Sequence, residues 1–314
     1  MKHATFNNTM PYFVFLAVCS AWSISFLLMK KAGLIFSPAS IGLWRVIAGT
    51  AVLGVIWLVR ERQWSFHWRD AGPMLIVVLA GCAWPYSIQP WVIARQGSAF
   101  MALMVSFVPL LTILLTVATS GGWPARRQLI GVIGALGCLA VLLGDGWQRD
   151  VPLTQLLAAL SVPSCYAIAN VTIRYRLGHA SAILVTMVSM FSTIWLLLPI
   201  VNVVAPPDTL VASAWLPAVA SLAFLGIVGT GLATFGFNWL IREHGPLFAG
   251  MTTNVVPLGA ILFGWLDGER ISRWQLGAIL GIVSMVTLVQ YRAASRSVPP
   301  DEPTVPTSIE PPQA

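Results

Sequence analysis

GCAWPYSIQPWVIARQGSAFMALMVSFVPLLTIL, residues 81–114, is written a second time as GTGLATFGFNWLIREHGPLFAGMTTNVVPLGAIL, residues 229–262. The offset is 148 residues without a gap, so Gly81 falls on Gly229, Trp91 on Trp239 and Gly97 on Gly245. Val108-Pro109-Leu110 falls on Val256-Pro257-Leu258, and Ile113-Leu114 on Ile261-Leu262. Ten identities in 34 positions include glycine, tryptophan and proline, which two merely apolar stretches would not share at one offset. A period this long is not a solenoid repeat. It predicts two copies of one half-protein, residues 1–147 and 148–296, followed by a proline-rich tail, 297–314, expected to be disordered.

The chain has 314 residues, of which 57% are hydrophobic and 9% charged. A soluble domain carries about 25% charged residues, so the composition predicts an integral membrane protein. Its apolar runs are long and lack strict alternation, which favours helices over barrel strands. The net charge of +7 comes from Lys and Arg at helix ends, the pattern of membrane anchoring rather than of nucleic-acid binding. Cys19, Cys82, Cys138 and Cys165 all fall inside apolar runs, without disulfide or metal-ligand spacing, and read as small packing residues.

Ten runs are long enough to span a bilayer: 11–29, 38–59, 71–93, 98–119, 127–144, 152–173, 181–204, 214–241, 247–266 and 273–291. The first follows Lys2 as a signal peptide would, but it has no good cleavage site and has a counterpart at 152–173, so it is kept as a helix. With the N-terminus inside, inner loops hold eleven Lys and Arg residues and outer loops six, which predicts both termini on the cytoplasmic side. Five helices per half is an odd number. The second half must therefore enter upside down, giving a 5+5 inverted repeat.

Several motifs resemble the drug/metabolite transporter superfamily in its EamA-type branch, over nearly the whole stretch from Tyr12 to Arg292. Ala21-Trp22-Ser23 with Phe26 resembles the family's Trp-small-x-x-Phe pattern, and Pro38 with Arg45 its Pro…Arg spacing. Val108-Pro109-Leu110 and Val256-Pro257-Leu258 resemble its apolar-Pro-Leu signature, and Gly268-Glu269…Gln275…Gly277 its Gly-Glu…Gln…Gly run. In the first half that run is degraded, because Gly121-Gly122 lacks the acid. The resemblance implies a ten-helix basket around a central cavity, with the fifth and tenth helices outside it. It also implies export or exchange of small metabolites by alternating access.

Pro109 and Pro257 are the leading candidates for gating. Each removes a backbone donor and frees the carbonyl four residues back, of Val105 and Thr253. Such breaks at equivalent points of two repeats are expected to flank a midplane site. Pro85 and Pro163 are further candidate breaks that the repeat does not echo. Candidate substrate-binding residues are Trp22, Tyr86, Met101, Tyr166, Asn170, Thr253 and Asn254; Trp84 could also stack on a ring. Buried amides and phenols need partners, which ranks Asn170, Asn254, Tyr86 and Tyr166 above the hydroxyls. Arg45 is the one charge well inside a span, with no acid in any span to pair with it. A structural or gating role is expected for it, with Gln89 or freed carbonyls as partners.

The spans offer no cluster of nucleophile, acid and base, and no repeated charged ring. That excludes an enzyme and a channel as leading readings, and no cofactor or metal is expected. Several phosphates would need more cations than Arg45 alone. The expectation is an inner-membrane exporter of amino acids, aromatic and large apolar ones included; the lining is similar to that of EamA-type exporters of such substrates. The alternative is an efflux carrier for lipophilic or quaternary-ammonium cations. The partners are a small-molecule substrate and the lipid bilayer. The oligomeric state, monomer or homodimer, stays open.

Overall fold

The computed structural model describes residues 9–120, 126, 129–131, 133–135, 137, 138, 151–201, 215–269 and 273–290. Of these, the side chains of residues 120, 242, 245–248, 250, 253, 254, 274, 275, 278, 286, 289 and 290 are left undescribed. The expected disordered tail, 297–314, and most of the expected fifth span, 127–144, lie outside the described residues.

Among the described residues the regular structure is all helical, without a strand. Seven helices are long and apolar enough to cross a membrane. They are α1 (Met10–Ala32), α2 (Pro38–Arg60), α3 (Trp68–Gln96), α4 (Ser98–Thr119), α5 (Leu153–Arg176), α6 (Ala182–Val201) and α7 (Trp215–Ile241). Helical geometry continues beyond Ile241 to Gly250. Two more helices follow, α8 (Thr252–Leu266) and α9 (Arg273–Gln290).

Local chemistry sets the ends. Ser37 caps α2 by accepting the Ser40 N–H at 3.2 Å, and Pro38 takes the first turn, where its missing N–H costs nothing. Gly97 has φ of +88°, a left-handed value suited to glycine, so α3 turns into α4 over one residue. Two helices carry π-helical stretches, Val77–Ala83 in α3 and Leu225–Leu232 in α7. Their first residues are 148 apart, the offset of the sequence repeat.

The described helices pack against one another. α2 lies against α6, α7 and α3; α1 against α7 and α8; α3 against α5 and α6; and α4 against α5 and α8. The α2–α7 crossing is close: a Cβ on Gly231 would stand 2.6 Å from Val52, and one on Gly226 2.4 Å from Ala48. Small residues at such crossings let backbones approach. Large apolar side chains such as Phe13, Val59, Trp195 and Leu216 are exposed, as on a hydrocarbon-facing surface.

Candidate central cavity and ion-pair cluster

A cavity of about 280 Å³ lies between α1, α2, α3, α4, α5, α7 and α8. Arg45 supplies its only formal charge among the lining residues. The α2 helix brings Arg45 to only 6% exposure. Its Nε donates to Thr230 Oγ1 at 3.2 Å, its Nη1 lies 3.1 Å from Met29 Sδ, and its guanidinium sits 4.5 Å from the centre of the Tyr86 ring. Among the described residues no carboxylate pairs with it. The expected partner, Gln89, is a correction: its Nε2 donates instead to the Tyr166 hydroxyl at 2.8 Å.

The rest of the wall is aromatic and neutral. Trp22 donates its indole N–H to the Gly229 carbonyl at 3.1 Å, inside the π-helical stretch of α7, and packs 5.1 Å from the Phe237 ring. Tyr86, Tyr166 and Asn170 also line the cavity, so four of the seven candidate binding residues meet there. Met101 does not. It is fully buried in the packed core beside Ala102 and Leu103, and Met29 on α1 faces the cavity instead. Trp84 is half exposed and donates to Ser161 Oγ at 2.8 Å, so it stacks on nothing in the cavity. The side chains of Thr253 and Asn254 lie outside the described residues.

The prolines divide. Helix α4 is interrupted at Ser106 and Phe107, just ahead of Pro109. Pro257 and Pro163 each sit inside an unbroken helix, which corrects their reading as breaks. Beside Pro257, the Ser23 hydroxyl of α1 donates to the Val256 carbonyl at 3.0 Å, adding a polar tie across the helix pair. Pro85 follows the π-helical stretch of α3, where its missing N–H suits a shifted hydrogen-bond register.

A second cluster closes the bundle at the Gly97 end. Lys30 Nζ lies 2.9 Å from Asp267 Oδ2 and 3.0 Å from Glu269 Oε1, and Lys31 Nζ lies 2.8 Å from Asp267 Oδ1. Glu269 also accepts from the Ser98 N–H at 3.2 Å, the Ser98 hydroxyl at 2.9 Å and the Ala99 N–H at 3.4 Å. It therefore caps α4, where a carboxylate meets the positive end of the helix dipole. Burial alone would raise the Glu269 carboxyl, but Lys30 and Ser98 outweigh it and hold it below its ordinary range. Asp267 is held low in the same way, against its burial, by Lys31 and Lys30. A recess of about 620 Å³ lined by Lys30, Arg95 and Glu269 opens at this end. At the opposite end a recess of about 430 Å³ is lined by Arg60, Glu61, Asn238 and Glu243.

Sequence reasoning assigned no role to Lys30, Lys31 or Asp267. The available signal was the pair of lysines ending α1 together with Asp267 and Glu269 after α8, opposite charges at one membrane depth.

The sequence model of the EamA-like transporter family matches this chain twice, over residues 9–144 and 153–290. A WAT1-related protein of Arabidopsis thaliana is 24% identical over 233 residues, 65% of this chain. The match covers 62% of that protein's length. A solved structure described only as "Crystal structure of protein" has a TM-score of 0.63 at 18% identity, covering 92% of this chain and 99% of its own, a likeness of fold alone.

Proposed function

The chain belongs to the EamA-like transporter family, and from that premise we propose that it is a secondary transporter exporting amino acids, aromatic and large apolar ones included, from the cytoplasm. The observation that carries the reading is Arg45: a buried guanidinium on the cavity wall with no carboxylate partner among the described residues. A substrate carboxylate can supply that partner through charge-assisted hydrogen bonds. The Tyr86 and Tyr166 rings and Asn170 offer sites for an ammonium group, and Trp22 and Phe26 offer apolar surface for a side chain.

Arg45 weighs against the alternative, a lipophilic cation. Two positive charges 5 Å apart repel by roughly 3 kcal/mol at an effective dielectric of about 20. The aromatic lining still suits a cation, so the same experiment must include one.

The proposal places this cavity in a ten-helix, 5+5 inverted repeat in the inner membrane, with both termini cytoplasmic. The two family matches support the repeat. So does the packing: shifting helices by the 148-residue offset turns α1–α8 into α5–α4, α1–α7 into α5–α3 and α2–α7 into α6–α3, all of them observed contacts. Transport by alternating access then exchanges the roles of the two ends. The reading is non-enzymatic.

The test is counterflow in proteoliposomes over a panel of amino acids and quaternary amines, with Arg45→Gln and Arg45→Lys alongside. Amino acids should exchange without an imposed ion gradient, and Arg45→Gln should reduce exchange at least tenfold. Movement of the amines but of no amino acid would overturn the substrate class. Full activity in Arg45→Gln would remove the site.

A further inference from the structure

The chain contains four histidines, and two of them meet at one carboxylate far from the cavity. His67 ends the α2–α3 connection, Asp70 stands in the first turn of α3, and His179 lies in the short connection between α5 and α6. His179 Nε2 is 3.1 Å from Asp70 Oδ2, and His67 Nδ1 is 3.7 Å from the same oxygen. The three ligand atoms lie within 4.8 Å of one another. The two imidazole rings are 5.7 Å apart.

Hydrogen bonding explains only part of this. Asp70 Oδ2 already accepts the His67 backbone N–H at 2.8 Å and faces His179 Nε2 at hydrogen-bond distance. The His67 ring nitrogen is too far from that oxygen for a hydrogen bond, at 3.7 Å, and its side chain stands in a capping box with the Asp70 backbone N–H. Two ring nitrogens and one carboxylate oxygen converging from two separate connections make the donor set of a zinc-class cation. Metal–ligand bonds of about 2.0–2.2 Å put neighbouring ligand atoms of a tetrahedral site roughly 3.3–3.6 Å apart. The two histidine–Asp70 distances, 3.1 and 3.7 Å, bracket that spacing, and all three ligand atoms lie within 4.8 Å of one another. Asp70 is buried and accepts the His67 backbone N–H, while both histidines are exposed.

We propose that His67, Asp70 and His179 form a binding site for a divalent transition metal of the zinc class, with water completing the coordination. This departs from the expectation of no metal, which rested on the absence of a ligand cluster in the spans; His67 and His179 lie in connections, 112 residues apart. The bound metal ties the start of α3 to the α5–α6 connection. That connection already reaches the end of α2 through the Ser181 hydroxyl and Glu61. Its role is a clasp on the bundle, independent of which substrate the cavity carries.

The probe is zinc chloride added to the purified full-length protein in detergent, with affinity read by competition against a chromophoric chelator. One zinc per chain should bind. His67→Ala and His179→Ala should each weaken it at least tenfold, and the double variant should abolish it. His244→Ala is the control and should bind as the native chain does. Zinc should raise the thermal midpoint of the native chain and leave that of the double variant unmoved. Midpoints without zinc check that the variants fold; Asp70→Asn is avoided because Asp70 also caps α3. No zinc binding by the native chain, or equal affinity in the double histidine variant, overturns the site.

Discussion

The two ends of the bundle are closed by different chemistry. At the Gly97 end, Lys30, Lys31, Asp267 and Glu269 join α1 to the α8–α9 connection, and Glu269 also caps α4. The repeat offset carries Lys30 to Gly178, Lys31 to His179 and Glu269 to Gly121, so the ion pairs have no sequence counterpart at the other end. There the contacts among the described residues include a hydroxyl–carboxylate bond from Ser181 to Glu61 and the His67–Asp70–His179 cluster. Under the proposed alternating access, unequal closing bonds would favour one arrangement over the other, because a state is favoured only by contacts it makes and the other lacks.

The largest effect that would break this comparison is expected at Glu269. Glu269→Ala removes a cap and an ion-pair partner at once, which costs about 2 kcal/mol when a typical cap and a partly exposed pair are combined. Glu243→Ala, an exposed carboxylate at the opposite end, should cost less than about 0.5 kcal/mol. Denaturation of both variants in the same detergent checks the pair, and equal losses would mean that the two ends are held alike.

A smaller effect sharpens the attribution to charge. Lys31 is 40% exposed in its side chain, so its pair with Asp267 should contribute about 0.5 kcal/mol or less after solvent screening. Lys31→Glu should lower stability by a similar amount, because it sets two acids side by side. Combining it with Asp267→Lys should recover part of that loss, though Lys30 then faces a new like charge. A double-mutant cycle with no coupling would show that this pair is a neighbour rather than a bond.

What could be read in advance depended on how far apart the deciding residues lie. Among the described residues, seven of the ten expected spans return as helices long and apolar enough to cross a membrane, legible because apolar runs and their interruptions are local. Tyr86 and Tyr166 were legible as cavity residues because a polar group within an apolar run has few other places to go, whereas Arg45, read as structural or gating, lies on the same cavity wall. Met101 and Met29 were not separable: both sit on helices apolar all round, and only packing decides which side faces the cavity. Pro257 looked like Pro109 in sequence, yet α8 stays continuous around it, and the Ser23 hydroxyl that ties Val256 comes from a residue 233 positions away. The paired π-helical stretches were hidden for another reason. Pro85 follows the first, whereas Gly226, Gly229 and Gly231 lie within the second, so one geometry has two different local signatures.

The smallest predicted effect is a pH dependence confined to one end. Asp267 and Glu269 are held below the ordinary carboxylate range because their lysine contacts and the Ser98 bonds outweigh burial. A depressed carboxylate contributes stability fully above its unfolded value, near 4, and loses it as pH falls through the lower folded value. The stability difference between the native chain and Glu269→Gln should therefore stay constant from about pH 8 to pH 5 and shrink only below about pH 4. Glutamine keeps an oxygen for the Ser98 donors, so this difference isolates the charge. Its size is modest, because Lys30 is 35% exposed and solvent screens the pair. Thermal midpoints of both proteins across that range provide the measurement. A difference that already vanishes between pH 7 and pH 5 would mean that Glu269 is not held ionised by Lys30, and the contrast between the ends would rest on the helix cap alone.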